Sequence, residues 1–485
     1  MSKIERITHK SFMYTPAIIV LLAAILAFSP LNATAMTFDA GEMGKMEVSG
    51  AIKASFGATQ YLDFVDNNSK GDDADFDATR ELNLRVDWIL NDNLKGVVSF
   101  QIGEGSTGGY FGSTDAAVGG EEDGDLILEL DKLYIDYTTN GGVNFKLGSQ
   151  SFNLHEIAYG SNIFYETPPG VTMMAPLSET VSLEVGWFRM ADLMDDSESE
   201  TDDQADFIFA KMPLSMGTVK VTPWAAYANI QEDVIDTDED NNYYKYAYFD
   251  YPGLLTGANS AITNANPTDN VNAYYLGASI QFSPNKNLAV SASATYGDMD
   301  WQTATVDASI SGFFTDLVVD YKMASMTPEF FVLYGNGPDA DDSDIDMMPV
   351  LIGGPTYTSS YFGGSRFNDN MFDSYDSTYA TSMWAVGFKL KDIRTGERLT
   401  HEFQIMYAEG TADDSIFQSP DDILLNEDES LVEVNFNSEF QVMKHLVFAT
   451  ELGYITFDED SDYNEEINGD VEDFWKIACS IELSF

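Results

Sequence analysis

The chain has 485 residues, of which 80 are acidic and 24 basic, and its formal net charge is −56. A surplus of carboxylates this large repels nucleic acid and disfavours a polyphosphate-binding role. The single cysteine, Cys479, has no partner for an internal disulfide. After residue 28 no apolar run is long enough for a membrane-spanning helix, so a helical membrane protein is excluded.

The chain begins with a pattern that predicts a secretory signal peptide over residues 1–35. Lys3, Arg6 and Lys10 precede a short apolar run over 17–28, and a small-residue cleavage pattern follows over 33–35. An uncleaved membrane anchor is the alternative, although the apolar run is short for a span. Removal of residues 1–35 takes away three basic residues and one acid, which leaves a mature chain, 36–485, with a formal charge near −58.

From residue 48 onward, segments of about ten residues alternate between apolar and polar side chains, which is typical of tilted strands that cross a bilayer. One such segment is RELNLRVDWIL, in which Leu82, Val86 and Trp88 share one face while Glu81 and Arg85 share the other. The alternation predicts an all-β protein, a transmembrane antiparallel β-barrel with an apolar outer face and a polar lumen.

The connections between these segments alternate between short turns and long acidic, Gly-rich loops. This asymmetry predicts a barrel with short periplasmic turns and long extracellular loops. The strand number must be even, and we predict 18 strands if residues 171–175 count as one, with 16 as the alternative. A phase shift near Asp131 predicts a β-bulge. The predicted long loops are 65–78, 104–125, 191–204, 231–270, 336–379, 410–429 and 458–471.

The last strand, WKIACSIELSF, ends on Phe485 with Ile481 and Leu483 on the same face. With the hairpin series, this ending resembles the outer-membrane porins of Gram-negative bacteria, in which a terminal Phe strand is the signal read by the barrel-assembly machinery. Three stretches, RELNLRVDWILNDNLKGVVSFQIGEG, LDKLYIDYTTNGGVNFKLGSQ and PPGVTMMAPLSETVSLEVGWF, look like hairpins of the homotrimeric porins of sulfate-reducing bacteria. The resemblance implies a homotrimer in the outer membrane, in contact with its lipid and lipopolysaccharide.

In general porins the loop after the fifth strand folds into the lumen and narrows it. Here the fifth strand is predicted over 143–149, so the resemblance implies a constriction loop over 151–170, which is less acidic than the other long connections. The alternative is an ordinary loop at the barrel mouth or at a trimer contact. The candidate constriction residues in this loop are His155, Glu156, Tyr159, Tyr165 and Glu166.

Charged residues on the polar face of the strands are predicted to line the lumen and to set the ion preference of the channel. The candidate basic residues facing the constriction loop are Arg85, Lys95 and Lys146. The candidate lumen acids are Asp87, Glu184, Glu402, Glu433, Glu439, Glu451 and Glu482. Because inward acids outnumber inward bases, even with Lys389 and Lys476 added, we predict a cation-preferring channel.

Neither a cofactor nor a specific metal site is predicted. The acidic stretches 236–242, 339–346 and 458–462 do not fit an EF-hand, although clustered carboxylates there could bind divalent cations diffusely and bridge to lipopolysaccharide. Catalysis finds little support, because the histidines His9, His155, His401 and His445 have no metal-ligand spacing and no serine lies in a nucleophile elbow.

The sequence therefore favours a water-filled outer-membrane diffusion channel for small hydrophilic solutes and ions. Within the same class, the alternative is a substrate-specific porin for a sugar or a carboxylic acid. From a different class, the alternative is a secreted acidic β-rich adhesin, which explains the signal peptide and the acidity but not the repeated apolar face or the terminal Phe.

Overall fold

The structure is a computed structural model of the full chain. It describes residues 36–39, 41, 44–60, 65–66, 74–103, 128–154, 159–161, 163–192, 204–231, 269–302, 307–338, 345–351, 356–367, 382–413, 425–458, 470–471 and 473–485. The predicted signal peptide lies outside these residues, as do the acidic stretch 236–242 and most of the other two. Within the described ranges, no helix combines the length and apolar character of a membrane-spanning helix.

Eighteen of the described strands form one closed antiparallel sheet. They are β1 Lys45–Gln60, β2 Ala74–Asn91, β3 Leu94–Ile102, β4 Leu128–Thr138, β5 Asn144–Ser149, β6 Pro169–Pro176, β7 Ser182–Asp192, β8 Gln204–Lys211, β9 Val219–Ile230, β10 Val271–Phe282, β11 Leu288–Gln302, β12 Asp307–Tyr321, β13 Thr327–Gly335, β14 Met383–Thr395, β15 Leu399–Gly410, β16 Ser430–Met443, β17 Leu446–Asp458 and β18 Phe474–Ser484.

Each of these strands pairs with its neighbours in sequence, and β18 pairs with β1 from Trp475↔Gln60 to Ser484↔Ala51. Closure leaves no unpaired sheet edge, as a membrane barrel requires. The prediction of an all-β barrel with 18 strands is confirmed, including the strand predicted over 171–175, which is β6.

Several shorter strands pair with the barrel strands or with one another. Met36–Asp39 pairs with the start of β1, and Leu214–Met216 continues β8 beside β9. Two more short pairs join Val65–Asp66 with Asp470–Val471, and Phe152–Asn153 with Tyr165–Glu166.

The predicted bulge in β4 is confirmed. Lys132 lies opposite Ser99 and Leu130 lies opposite Phe100, so Asp131 is the extra residue between two consecutive residues of β3. A one-residue insertion exchanges the two faces of a strand. This is why the apolar phase of the sequence changes from even to odd positions at Asp131.

The two faces of the barrel differ as the alternation predicts. On β13, Phe331 is fully buried inside the barrel whereas Phe330 on the outer face is 42% exposed. Large aromatic side chains recur on the outer face of other strands, as in the aromatic belts of membrane barrels. These exposed aromatics include Trp88, Tyr137, Trp187, Tyr296, Tyr334 and Tyr454.

The C-terminal residue completes the junction between β18 and β1. The Phe485 amide donates to the carbonyl of Gly50 at 2.9 Å, and the Gly50 amide donates to the carbonyl of Phe485 at 2.9 Å. A Cβ on Gly50 would lie 2.8 Å from Cζ of the Phe485 ring, so glycine leaves the room that the terminal ring occupies. Recognition of Ile481, Leu483 and Phe485 during assembly stays a prediction.

Candidate functional site: two segments inside the barrel

Within the part of the chain that the structure describes, two connections fold into the lumen. The first inward segment, between β5 and β6, comprises the described residues 150–154, 159–161 and 163–167. The second inward segment, between β13 and β14, comprises residues 345–351 and 356–367. Both reach wall residues whose side chains point into the barrel, and they meet each other there.

The first inward segment is held by a cluster of aromatic rings. Phe152 lies 4.3 Å from Phe209 and 4.8 Å from Phe188 between ring centroids, and Phe164 stacks on Phe207 at 4.7 Å. The wall rings belong to β7 and β8, on their inner faces. Burial of rings this large is the main contribution that apolar packing can make to holding a loop against a wall.

A lysine side chain binds the first inward segment beside this aromatic cluster. Lys211, at the end of β8, donates from Nζ to the carbonyl oxygen of Asn153 at 2.8 Å. The same Nζ lies 4.5 Å from the ring centroid of Phe152. The lysine therefore binds both the backbone and a ring of the first inward segment.

Tyr159 is the point at which the first inward segment crosses to the opposite wall. Its hydroxyl donates to Glu329 on β13, and Nζ of Lys389 on β14 lies 3.9 Å from its ring centroid. Its ring also lies 4.9 Å from that of Tyr357 in the second inward segment. Burial, with the neighbouring Glu329 charge, raises the pKa of Tyr159, so the hydroxyl remains a donor.

Backbone hydrogen bonds join the two inward segments. The amide of Thr356 donates to the carbonyl of Tyr159 at 2.9 Å, and the amide of Leu351 donates to the carbonyl of Ile163 at 3.1 Å. The two segments therefore form one assembly inside the barrel, although Tyr159 and Thr356 are 197 residues apart in sequence.

The second inward segment buries apolar side chains such as Tyr357 and Phe362 and is also bound to the wall by polar groups. Glu433, a fully buried residue on β16, accepts hydrogen bonds from Oγ1 of Thr358 at 2.5 Å, from the amide of Ser360 at 2.9 Å and from the amide of Tyr361 at 3.3 Å. A buried carboxylate needs such donors, because desolvation without them is costly. Glu433 thus acts as an acceptor for the turn of the second inward segment.

A buried ion pair lies beside this acceptor. Glu451 on β17 accepts from Oγ of Ser365 and from the amide of Arg366, both at 2.8 Å, and lies 3.1 Å from Nζ of Lys476 on β18. Lys476 also donates to the carbonyl of Ser359. Wall charges of both signs therefore bind the backbone of the second inward segment.

Arg366, near the end of the second inward segment, binds wall residues close to the short turns of the barrel. Its guanidinium pairs with Glu439 and, at 3.4 Å, with Glu482. Its carbonyl accepts a hydrogen bond from Nζ of Lys53 at 2.8 Å. These partners lie on β16, β18 and β1, so one arginine connects three neighbouring parts of the wall.

Glycines on the inner wall provide space for the second inward segment. A Cβ on Gly453 would lie 2.1 Å from Oγ of Ser360, and a Cβ on Gly297 would lie 2.8 Å from the Pro349 ring. On β12, a Cβ on Gly312 would lie 2.5 Å from the amide nitrogen of Met348. Close approach of backbone to a wall requires such positions to lack a side chain.

Described residues of the segments and the wall enclose two polar cavities between them. The larger, of about 420 Å³, is lined by residues that include Tyr159, Asp320, Glu329, Lys389 and Lys391. The smaller, of about 310 Å³, is lined by residues that include Arg366, His401, Asn437 and Glu439. Gly364, Glu402 and Gln404 line both cavities, so these residues lie where the two spaces adjoin.

Charges in the larger cavity are paired with one another. Lys391 lies 2.7 Å from Asp320 and also pairs with Glu329, whose other oxygen lies 3.5 Å from Lys389. Glu402 accepts a hydrogen bond from Gln404. The cavity therefore presents both donors and acceptors to a solute of its size.

The predicted constriction residues have different positions. His155 and Glu156 lie outside the described residues. Tyr165 is exposed, whereas Glu166 is half-buried, and burial raises the pKa of its carboxyl. Only Tyr159 among the described members is placed at the junction of the two inward segments.

The three predicted wall cations lie on the inner face and bind neighbours on the wall. Arg85 pairs with Asp87 at 2.8 Å, and Lys95 lies 3.7 Å from Asp136. Lys146 lies 5.9 Å from the ring centroid of Tyr134. Their predicted role opposite Glu156 and Glu166 stays a prediction.

The predicted lumen acids divide into two groups. Glu433, Glu439, Glu451 and Glu482 hold the second inward segment. Asp87 pairs with Arg85, Glu402 lines the cavities, and Glu184 lies on β7 opposite Lys211 in register. Most of these carboxylates are thus bound to donors or cations of the protein.

From sequence, we expected the connection over 336–379 to be an extracellular loop, whereas the structure places residues 345–351 and 356–367 inside the barrel. Residues 345–367 have one acidic residue and many apolar, serine and glycine residues, unlike the acidic loops. Together with the inward glycines on β11, β12 and β17, that composition is the signal from which an inward segment could have been inferred.

No protein-family model matches the chain, and no curated protein sequence matches it significantly. Solved structures do match its fold. A BenF-like porin from Pseudomonas fluorescens Pf-5 has a TM-score of 0.52 at 10% identity, over 91% of this chain and 98% of that one. Acinetobacter baumannii OccAB3 has a TM-score of 0.51 at 9% identity, over 90% and 99% of the two chains.

Pseudomonas aeruginosa OpdK, in a structure with vanillate, has a TM-score of 0.50 at 10% identity, over 91% of this chain and 98% of that one. These neighbours are outer-membrane porins, which are channels rather than enzymes. The chain therefore has the fold of a Gram-negative outer-membrane porin, and the predicted outer-membrane location agrees with this fold.

Proposed function

We propose that this protein is a substrate-specific outer-membrane diffusion channel for a small polar organic solute. The observation that carries the proposal is the meeting of two inward segments inside the barrel, which leaves cavities of about 420 and 310 Å³. Cavities of this order fit one small molecule and present fixed polar groups to it. A wide general channel does not need such a surface.

A carboxylic acid is the first substrate class to test. Lys389 and Lys391 line the larger cavity beside Tyr159, and a carboxylate there would compete with Asp320 and Glu329 for the two ammonium groups. The structural neighbour OpdK, solved with vanillate, supports the same choice. A sugar remains the second class, because the cavity also offers Gln404, Glu402 and backbone groups.

The predicted cation preference is less well supported than substrate selectivity. Four of the seven predicted lumen acids bind the second inward segment, and Arg366 and Lys476 lie among them. Their charge is therefore largely compensated within the protein, which weakens the reason for preferring cations. The sign of the reversal potential in a salt gradient tests this prediction.

The test of the proposed function is single-channel recording in a planar bilayer with benzoate-class carboxylates and neutral sugars added to one side. We expect the carboxylates to produce concentration-dependent interruptions of the current, and Lys391→Gln to weaken them roughly tenfold, as for a lost charged hydrogen bond. Lys322→Gln, in an exposed turn, is the matched control. Ohmic currents that no solute interrupts would contradict substrate selectivity.

Assembly into a homotrimer, contact with lipopolysaccharide and recognition by the barrel-assembly machinery stay predictions that the resemblance to trimeric porins supports. Chemical cross-linking of the detergent-extracted full chain tests the trimer: a ladder that ends at three copies is expected, and a monomer alone would contradict it.

A further inference from the structure

The two lumen cavities adjoin at the carboxylate of Glu402 on β15. Glu402 lines both cavities, together with Gly364 and Gln404. Its side chain lies on the inner face of the strand, because Gln404 and Met406, at alternate positions after it, are buried inside the barrel. A solute that moves from one cavity to the other therefore passes this carboxylate.

A hydrogen-bond network fixes the orientation of Glu402. Oε1 of Gln404 accepts from the amide of Ser359 at 3.1 Å and from Nδ2 of Asn435 at 2.9 Å, so the amide nitrogen of Gln404 points the other way. That nitrogen donates to Oε1 of Glu402. Within the described part of the chain, Oε2 of Glu402 receives no hydrogen bond, so this oxygen is available to a solute.

The other charges of the larger cavity are already paired. Lys389 and Glu329 lie 3.5 Å apart, and their side chains are only 4% and 2% exposed, so a solute does not reach them. Lys391 and Asp320 are more exposed, but they lie 2.7 Å apart and bind each other. Two lysines thus face three carboxylates when Glu402 is included. Among the described residues, Glu402 is the member of this set without an ion-pair partner.

Pairing in the smaller cavity has the same result. Arg366 binds Glu439, and Glu451 lies 3.1 Å from Lys476. Asp392 is exposed and accepts one hydrogen bond, from a threonine hydroxyl at 2.8 Å. No described cation pairs with it. The charges without a counter-ion in the two cavities are therefore carboxylates.

His401 adds no positive charge to this surface, although it belongs to the same strand. It alternates with Glu402, so its ring lies on the outer wall, where it stacks on Phe436 at 5.3 Å between ring centroids. Its Nδ1 lies 2.8 Å from Oγ of Ser438. The charge that a solute meets where the cavities adjoin is therefore negative.

We propose that Glu402 binds the ammonium group of an amine solute where the two cavities adjoin. A carboxylate that lacks a cation of the protein gains a charge-assisted hydrogen bond from an ammonium group, and partial desolvation inside the barrel strengthens that bond. The inference rests on the proposed function, because it names one group of the solute that the lumen recognises. It adds this group to the carboxylate considered above and does not replace it.

The test is single-channel recording of the full chain at neutral pH with three probes of similar size and shape. Benzylamine is a cation, benzyl alcohol is neutral and benzoate is an anion. We expect benzylamine to interrupt the current at lower concentrations than benzyl alcohol. We expect Glu402→Gln to weaken the benzylamine interruptions roughly tenfold and not to weaken those by benzoate.

The variants separate charge from shape. Glu402→Gln keeps the size of the side chain and an oxygen that accepts from Gln404, so it removes the charge alone. Glu402→Asp keeps the charge and is expected to retain the preference for benzylamine over benzyl alcohol. Glu184→Gln, at an inward glutamate of β7 that lines neither cavity, is the matched control and leaves the interruptions unchanged. Heat-modifiability on gels verifies that each variant folds.

The outcomes distinguish this inference from the proposed function. Equal benzylamine affinity in the wild type and Glu402→Gln would overturn the inference, and so would equal affinity of the wild type for benzylamine and benzyl alcohol. If benzoate or a sugar still interrupts the current in either case, substrate selectivity stands and only ammonium recognition fails. If no probe interrupts the current, both the inference and the proposed function fail.

Discussion

The two inward segments occupy the same lumen and both bury apolar side chains there, but they differ in how many polar contacts attach them to the wall. The first packs on the aromatic rings of β7 and β8, whereas the second combines buried apolar side chains with a network of carboxylates, amides and cations from β15 to β18 and β1. Aromatic packing is strong but weakly directional, so it holds a segment without setting one arrangement of its backbone. A buried polar network sets the arrangement atom by atom and becomes costly when any member is missing.

The way in which each segment is attached also determines which polar groups face the lumen. The first inward segment keeps Tyr159 at its tip for a contact with Glu329 and Lys389 across the barrel. The second inward segment uses most wall carboxylates of its side for its own attachment, and it leaves Glu402 and Gln404 to line the cavities. The polar attachment therefore determines which charges a solute meets.

The largest effect is expected when the centre of the polar network is removed. In Glu433→Leu the amides of Ser360 and Tyr361 and the hydroxyl of Thr358 lose their acceptor, at about 1–3 kcal/mol for each donor left unpaired. We expect the second inward segment to leave the wall and the single-channel conductance to rise. The measurement is conductance together with the temperature at which the barrel unfolds on heated gels.

Glu184→Leu is the control for that change, because Glu184 is also an inward glutamate and lies on β7, half of the barrel away from β16. Equal conductance in both variants and the wild type would mean that Glu433 does not hold the second inward segment in the membrane.

The next largest effect concerns the aromatic attachment. Phe164→Ala removes a fully buried ring that stacks on Phe207, and truncations of this kind cost about 3–5 kcal/mol. Since no charge is involved, we expect the same loss of stability at low and high ionic strength, measured as the midpoint of denaturant unfolding. Phe313→Ala, on the exposed outer wall, is the control and changes the midpoint little. A loss that depends strongly on salt would contradict the apolar character of this attachment.

The smallest effect is expected when the partly exposed ion pair between Arg366 and Glu439 is removed. Arg366 is 27% exposed and its partner Glu439 is 56% exposed, so the pair contributes only about 0.2–1 kcal/mol. We expect Arg366→Gln to raise the conductance at low salt, and we expect the difference to fade near 1 M, where the Debye length is about 3 Å. Arg394→Gln, exposed near the same end of the barrel, is the control. A difference that persists at high salt would show that the pair is not screened.

Much of the barrel could be predicted from sequence because its determinants are local. Alternation along each segment, turn residues such as those between Asn91 and Leu94, and the phase change at Asp131 each report on a few neighbouring residues. A strand that faces lipid on one side and water on the other must repeat every two residues. The orientation of the strand faces and the bulge in β4 therefore follow from the sequence alone, whereas the choice of 18 strands over 16 depended on finding β6 in the structure.

The inward segments were decided by tertiary structure because their contacts join residues that are distant in sequence. Position along the chain, by resemblance to general porins, pointed to residues 151–170, but nothing local indicates that Tyr159 reaches Glu329. Likewise, Ser360 binds Glu433 and fits against Gly453 only when the closed barrel brings β16 and β17 beside it. Sequence determined the barrel wall through its two-residue period, whereas closure of the wall determined which loops could bury their polar groups inside it.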